Sequence, residues 1–115
     1  ERCFAYVEAG VDGIMIHSKE KSGEDIKEFC HQFRAKYADV PIVVVPTTYN
    51  QFTEEELASW GINVVIYANH MLRASYPAMM NCAKSILMHS RSKEASAEYC
   101  MPIKEILELI PGTKN

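Results

Sequence analysis

Three short apolar runs, each bounded by turn signals, constrain the fold of this chain most strongly. They lie at residues 13–17, 42–46 and 63–67, and helical patterns separate them. Apolar runs of this length, without polar alternation, are typical of strands buried on both faces of a parallel sheet. The order of strands and helices therefore predicts an α/β fold with parallel strands and right-handed crossovers.

The segments around these strands carry helix-capping residues. Gly10 is predicted to terminate a first helix. Ser22 is predicted to cap the second helix, and Thr53 with Glu56 has the spacing of a capping box at the start of a third. The apolar face of the second helix follows spacings of three and four, and it comprises Ile26, Phe29, Cys30, Phe33 and Tyr37.

The C-terminal part of the chain predicts two further helices joined by a loop. The first spans residues 71–88, and Pro77 is predicted to kink it or to divide it in two. Residues 89–96 are polar and predict a mobile loop, after which Pro102 opens a last helix that ends at Pro111–Gly112. The side chains predicted to face inward are Met79, Cys82, Ala83, Ile86, Leu87, Ile103, Ile106, Leu107 and Ile110.

Composition and charge exclude several classes of protein. The chain of 115 residues allows one domain, and 48% apolar with 23% charged residues is ordinary for a globular protein. A net charge of -3 argues against a nucleic-acid partner. No apolar run approaches the roughly 18 residues that a membrane span needs, and we expect no signal peptide. We therefore predict a cytoplasmic protein with no nucleic acid and no membrane as partner.

The four cysteines are widely spaced and form no C-x-x-C pair. Cys3, Cys30 and Cys82 fall in helical patterns, while Cys100 lies near the end of the chain. This distribution predicts reduced, mostly buried thiols, as expected in the cytosol. The spacing also disfavours a zinc site.

The number of strands indicates part of a larger fold. A (β/α)₈ barrel needs roughly 250 residues, so three strand–helix units are less than half of one. A doubly wound sheet would normally have more strands and a phosphate-binding loop near its start. The sequence contains neither G-x-G-x-x-G nor G-x-x-x-x-G-K-[ST]. We therefore predict a portion of a TIM-type barrel, with three parallel strand–helix units plus a C-terminal helix.

Polar side chains follow the first strand where its backbone leaves the sheet. His17 and Ser18 stand at this exit, and ligands of parallel α/β folds bind at the carboxyl ends of strands. A structural, hydrogen-bonded role for His17 is the alternative. Asn69 and His70 are more simply a helix cap and its neighbour, and Arg73 is more simply solvated or paired. The loop residues more often found as turn formers than as ligands are Thr47, Thr48 and Asn50.

Four segments resemble the phosphoenolpyruvate phosphomutase family. Residues 9–19, AGVDGIMIHSK, resemble its sixth-strand region, and residues 44–47, VVPT, resemble its seventh strand. Residues 65–74, VIYANHMLRA, resemble its eighth strand and following helix, and residues 101–106, MPIKEI, its C-terminal segment. The His-Ser pair and the Asn-His-x-Leu-Arg run favour the mutase branch over the lyases of the wider superfamily, which includes isocitrate lyase.

The resemblance implies a Mg²⁺-dependent interconversion of phosphoenolpyruvate and 3-phosphonopyruvate, which forms a carbon–phosphorus bond for phosphonate biosynthesis. It also implies a phosphorylated 2-oxo acid as the small-molecule substrate and a homo-oligomer as the complete assembly. His17 corresponds to the family's phosphoryl-contacting, catalytic histidine. Ser18 would add a second substrate-binding donor.

The family's metal-binding acids, its lid and its other phosphoryl-binding arginine belong to earlier strands. By this resemblance residues 1–115 are the C-terminal part of the barrel domain, without its N-terminal strands. We therefore expect no metal ligand in this chain, Mg²⁺ ligands in the N-terminal part of the domain, and no activity from the chain alone. A nucleotidyltransferase domain follows the barrel in some family members, and the sequence leaves this open.

Two alternatives remain. One is a lyase or hydrolase of the same superfamily, of the 2-methylisocitrate lyase or phosphonopyruvate hydrolase type, which cuts a carbon–carbon or carbon–phosphorus bond. The other is a non-catalytic α/β module. The residues that precede Glu1 in the gene would separate them, since acidic metal ligands and a lysine–asparagine lid would favour the mutase.

Overall fold

The computed structural model describes residues 1–110 and Gly112, and the chain divides into two compact units, Glu1–Ala68 and Asn69–Asn115. The first unit consists, in order, of α1 (Arg2–Glu8), β1 (Ile14–Ile16), α2 (Glu24–Lys36), β2 (Ile42–Val44), α3 (Glu54–Ser59) and β3 (Val64–Val65). The second consists of α4 (His70–His89), α5 (Lys93–Glu98) and α6 (Ile103–Leu109).

The strands of the first unit form a parallel sheet in the order β1-β2-β3. Ile14 lies opposite Ile42 in the first pair, and Val43 lies opposite Val64 in the second. The predicted α/β fold with parallel strands is therefore confirmed. Each strand is shorter than predicted. After β2, for example, the Thr47 N–H turns back to the Val45 carbonyl at 2.8 Å, so the ladder ends there.

One face of the sheet carries the core of the first unit. Along β1, Ile14 and Ile16 are buried while Met15 is 61% exposed. The expectation of burial on both faces is therefore wrong for these residues, because helices cover one face only and alternate side chains point to opposite faces. The buried cluster comprises Ile14, Ile16, Ile26, Cys30, Phe33, Ile42, Val44, Tyr49, Leu57 and Ile62.

The helix starts confirm one predicted cap and correct another. Thr53 accepts from the Glu56 N–H at 3.2 Å and the Glu56 carboxylate accepts from the Thr53 N–H at 2.8 Å, so the capping box is present. The cap position of α2 is Gly23 rather than Ser22. Gly23 has φ +73°, and Phe52 packs where a β-carbon would lie. The Ser22 hydroxyl still accepts from the Glu24 N–H at 3.3 Å.

The edge of the sheet where strands begin, here the amino edge, is organised by Arg34 at the end of α2. Its guanidinium donates twice to the Gly61 carbonyl, at 3.0 and 2.5 Å, and once to Asn63 Oδ1 at 2.6 Å. The same Oδ1 accepts from the Ile42 N–H at 2.9 Å. Arg34 also donates to the carbonyls of the turn before β2, namely Tyr37, Ala38 and Val40. One side chain thus joins α2 to the starts of β2 and β3.

The second unit differs from its sequence prediction at two places. α4 runs unbroken through Pro77, so the predicted division into two pieces is wrong. A proline removes one hydrogen bond of a helix and crowds the carbonyl one turn earlier, and here the bonds of the neighbouring turns continue α4. The predicted mobile loop at residues 89–96 is also wrong in part, because α5 begins at Lys93 and buries Ala95.

The apolar sides of α4 and α6 are not buried as predicted. Leu87 is 80% exposed and Ile103 is 76% exposed, and among α4 residues only Ser85 is buried. A helical stripe predicts which side chains share a face, but burial needs a partner surface. Pro102 takes the cap position of α6, and Pro111, part of the predicted end, lies outside the described residues.

Two further predictions concern the burial of the cysteine thiols and the lack of a membrane-spanning helix. All four cysteines carry free thiols, three of them in helices as predicted, yet only Cys30 is fully buried. Cys3 and Cys82 are half-buried and Cys100 is exposed. Within residues 1–110, no helix combines the length and apolar character needed to cross a bilayer.

Candidate functional site

The edge of the sheet where strands end, here the carboxyl edge, carries His17 directly after β1. Its imidazole is exposed, and it has no hydrogen-bond partner among the residues that the structure describes. A structural histidine is normally held by such a bond. Both ring nitrogens of His17 are therefore available to a ligand.

Ser18 is already engaged within the protein. Its hydroxyl donates to Asp25 Oδ2 in a short hydrogen bond and accepts from the Glu20 N–H at 2.9 Å. The second oxygen of Asp25 accepts from the Ile26 N–H at 2.8 Å. These contacts fasten the loop after β1 to the first turn of α2. To donate to a substrate, the Ser18 hydroxyl must leave Asp25.

A cleft of about 480 Å³ lies beside the end of β1. His17 and Asp25 contribute to its wall, together with Arg2 of α1 and Phe29 of α2. The cleft thus places an imidazole, a carboxylate and a guanidinium around one apolar floor. The sequence pattern did not reveal Arg2 or Asp25, because each reaches this place through folding rather than through a motif.

Tyr49 contributes a second feature of the carboxyl edge. The side chain lies in the loop after β2, it is fully buried, and its hydroxyl has no hydrogen-bond partner among the described residues. Burial raises the pKa of this phenol, and the nearby Cys30 and Asp25 raise it further. Gln51 of the same loop donates to the Lys21 carbonyl at 2.8 Å and joins the loops after β1 and β2.

The other polar residues singled out in the sequence have structural positions. Asn69 occupies the cap position of α4, as predicted, although its side chain makes no capping bond and its φ is +53°. His70 is the first residue of α4, and Arg73 donates its N–H to the Asn69 carbonyl at 2.9 Å. The remaining three lie in the bend that follows β2, and they are Thr47, Thr48 and Asn50.

The described residues contain no cluster of metal ligands. Nowhere among residues 1–110 do three or more His, Cys, Asp or Glu side chains form a group that could hold a metal ion. Magnesium in proteins is usually held through one or two carboxylates, with water and ligand oxygens. Asp25 is the carboxylate that lines the cleft with His17, and it is bonded to Ser18 and to the Ile26 N–H.

Comparison with known proteins identifies relatives over almost the whole chain. The family model described as phosphoenolpyruvate phosphomutase matches residues 1–87. The phosphonopyruvate hydrolase of Variovorax sp. (strain Pal2) is 39% identical over 91% of this chain and 35% of its own length. The phosphoenolpyruvate phosphomutase of Streptomyces viridochromogenes is 37% identical over 95% of this chain and 34% of its own length. The chain thus spans about a third of these relatives.

Solved structures agree with the sequence relatives. The crystal structure of phosphoenolpyruvate phosphomutase from Streptomyces platensis subsp. rosaceus matches with a TM-score of 0.82 and 34% identity, over 94% of this chain and 36% of that one. Phosphonopyruvate hydrolase in complex with oxalate and Mg²⁺ matches with a TM-score of 0.79 and 39% identity, over 94% of this chain and 37% of that one. The three parallel strands with their helices thus correspond to part of such folds, and the chain belongs to the phosphoenolpyruvate phosphomutase family.

Proposed function

We propose that residues 1–115 form the C-terminal part of a (β/α)₈ domain that interconverts phosphoenolpyruvate and 3-phosphonopyruvate. Membership of the phosphomutase family supports the reaction, and relatives carrying that name are 32–37% identical to this chain. The complete protein would therefore bind a small phosphorylated 2-oxo acid.

The exposed face of the sheet supports the assignment to part of a barrel. Met15 is 61% exposed and Val64 is 46% exposed, while the helices cover the opposite face. In a closed (β/α)₈ barrel, this second face fills the interior with layers of apolar side chains from other strands. The exposed apolar side chains are those that such strands would bury.

The observation that carries the proposed site is the exposed imidazole of His17 at the carboxyl edge, which has no partner within the part of the chain that the structure describes. A phosphoryl group in transfer spreads negative charge over its equatorial oxygens, and catalysis depends on positioning and on donors aimed at those oxygens. The N–H of His17 can donate to one of them as the bond from phosphorus to the enol oxygen breaks. The same donor would hold the group while the substrate carbon captures it.

The contact of Ser18 with substrate stays a prediction. Its present bonds to Asp25 and to the Glu20 N–H favour a role in holding the loop that carries His17. We infer that Ser18 acts first as a positioning residue. A direct donation to substrate would require its hydroxyl to rotate away from Asp25.

We propose Mg²⁺ as the cofactor of the complete protein, with ligands outside the described residues. A relative of this chain has been crystallised with oxalate and Mg²⁺. When bound, the ion would stabilise negative charge on the substrate oxygens. The homo-oligomeric assembly, the cytoplasmic location and the lack of nucleic-acid or membrane partners also stay predictions.

Phosphonopyruvate hydrolysis is the second candidate function, because a hydrolase is 39% identical to this chain. The two activities differ in the acceptor of the phosphoryl group, which is the substrate's own oxygen in one case and water in the other. Phosphorus NMR of the complete protein with phosphonopyruvate separates them. We expect phosphoenolpyruvate to accumulate, and formation of phosphate with pyruvate would instead assign the hydrolase.

Substitution of His17 tests the proposed site. In the complete protein, His17→Ala should lower kcat by roughly 10²–10³, the scale for losing one preorganised donor. His31→Ala is the matched control, because His31 is exposed on α2. Turnover is measured at saturating substrate, well below both melting temperatures. Equal turnover of His17→Ala and wild type would contradict the role of His17 and leave the family assignment intact.

The chain of 115 residues by itself should have no mutase activity, since its described residues contain no group of three or more His, Cys, Asp or Glu side chains that could hold a metal ion. The measurement is conversion of phosphonopyruvate by the purified chain with and without Mg²⁺. Mg²⁺-dependent turnover would overturn the proposal that the metal ligands lie elsewhere.

A further inference from the structure

Two thiols meet in the second unit of the chain. Cys82 lies on α4 and Cys100 follows α5, and their sulfur atoms are 3.8 Å apart. The sequence separates them by 18 residues, and neither the proposed reaction nor the candidate site uses them. Cys100 is exposed and Cys82 is half-buried, so solvent reaches the pair.

The fold holds this pair together through the turn between α4 and α5. The chain reverses after α4 at Ser90, whose φ is +52°. Beyond it, the Arg91 guanidinium donates to the Glu94 carboxylate at 2.5 to 3.2 Å. Within the same unit, Ser85 of α4 and Ala95 of α5 are buried. The turn between α4 and α5 therefore brings the segment that carries Cys100 back to α4.

We propose that Cys82 and Cys100 are a dithiol site that forms a reversible disulfide with a low-molecular-weight disulfide such as oxidised glutathione. The bond would close the segment between them and fasten the start of α6 to α4. A disulfide sulfur–sulfur bond is about 2.0 Å long. The two sulfur atoms thus need to approach by less than about 2 Å.

The reaction balances in two exchange steps. Cys100 loses its proton to solvent, and its thiolate attacks one sulfur of oxidised glutathione and releases a glutathione thiolate. Cys82 then loses its proton and attacks the Cys100 sulfur, so a second glutathione leaves and the protein disulfide forms. Two protein thiols are oxidised by two electrons in total, and one glutathione disulfide is reduced to two thiols.

The environment of each thiol sets this order. The hydrogen bond with Cys100 raises the pKa of the Cys82 thiol, so Cys82 is the poorer initial nucleophile. Cys30 cannot compete, because it is fully buried and burial raises its pKa to about 11. Cys3 lies on α1 in the other unit.

The test is oxidation of the folded protein with excess oxidised glutathione, followed by intact-mass measurement and peptide mapping. We expect a mass loss of two hydrogen atoms, one linked peptide pair that joins Cys82 to Cys100, and full reversal by a thiol reductant. Ring closure should be at least about tenfold faster in the folded protein than in urea, because the fold holds the two sulfur atoms in contact. A persistent glutathione adduct on Cys100, or linkage to Cys3 or Cys30, would overturn the proposal.

Single substitutions sharpen this test. Cys82→Ser should trap the glutathione adduct on Cys100, and Cys100→Ser should slow modification at position 82 at least about tenfold, since the exposed nucleophile is gone. Cys3→Ser is the matched control and should oxidise as the wild type does. Equal closure rates in folded and urea-unfolded protein would show that the contact between the sulfur atoms is not responsible.

Discussion

The two edges of the sheet differ in how far their polar groups are hydrogen-bonded. At the amino edge, the Arg34 guanidinium and the Asn63 amide oxygen make several hydrogen bonds to backbone and to each other. At the carboxyl edge, His17 is exposed and unpartnered among the described residues, and the buried Tyr49 hydroxyl lacks a partner there too. One edge is saturated with bonds, and the other retains unused donors and acceptors.

This difference assigns stability of the sheet to one edge and ligand binding to the other. In (β/α)₈ folds the face where strands begin contributes stability, while catalytic groups lie where strands end. Unused polar groups weaken a fold, since a buried one costs about 1–3 kcal/mol. They are also the groups that a substrate can bind. The hydrogen bonds of the amino edge thus stabilise the sheet, while polar groups at the carboxyl edge stay available to a ligand.

The largest expected effect is at the amino edge. Arg34→Ala should lower the free energy of unfolding by about 3–5 kcal/mol, because several carbonyls and the Asn63 oxygen lose a charged donor at once. Gly61 has a φ of +89° and packs directly against the Arg34 side chain. Arg34→Ala therefore also removes this packing contact from the turn at Gly61. Urea denaturation measures the change.

Lys36→Ala is the control for Arg34 on the same helix. Its ammonium pairs with Glu8 at 2.9 Å, and both side chains are more than half exposed. Surface pairs of this kind contribute little to stability, because solvent screens them. Similar losses for the two variants would remove the distinction between a saturated edge and an ordinary charged surface.

A smaller effect is expected from Ser18→Ala at the carboxyl edge. Loss of the bonds to Asp25 and to the Glu20 N–H should lower stability by about 1–2 kcal/mol. If Ser18 positions the loop, kcat of the complete protein should fall while the KM for phosphonopyruvate stays nearly constant. Ser59→Ala, which removes a surface bond to the Glu56 carbonyl, is the control. A rise in KM alone would instead assign Ser18 a direct contact with substrate.

The smallest effect has the opposite sign. Tyr49→Phe removes a buried hydroxyl without a described partner, so stability should rise by about 1 kcal/mol. Tyr67→Phe is the matched control and should not stabilise, since its hydroxyl donates to Glu54 at 2.6 Å. Thermal unfolding measures both. A loss of stability in Tyr49→Phe would show that the carboxyl edge is as saturated as the amino edge.

Local patterns predicted much of the first unit. The two members of the Thr53–Glu56 capping box lie three positions apart, and its formation needs only one turn of helix. The β-branched run around Ile42 predicted β2, and the spacing of Ile26, Cys30 and Phe33 predicted the buried side of α2. The segment around His17 carried the family resemblance, which the family model confirms.

Residue order and side-chain spacing thus determined the order of helices and strands in the first unit and its parallel sheet, and the resemblance of four segments indicated the family. Only the tertiary structure decided which polar groups meet. Arg34 donates to the Gly61 carbonyl, which is 27 residues away in the sequence. Ser18 donates to Asp25 across a loop of irregular backbone. It also decided burial, since the stripe on α4 predicted a shared face but Leu87 remains exposed. Such outcomes depend on surfaces brought together by folding, and spacing along one helix carries no information about its neighbour.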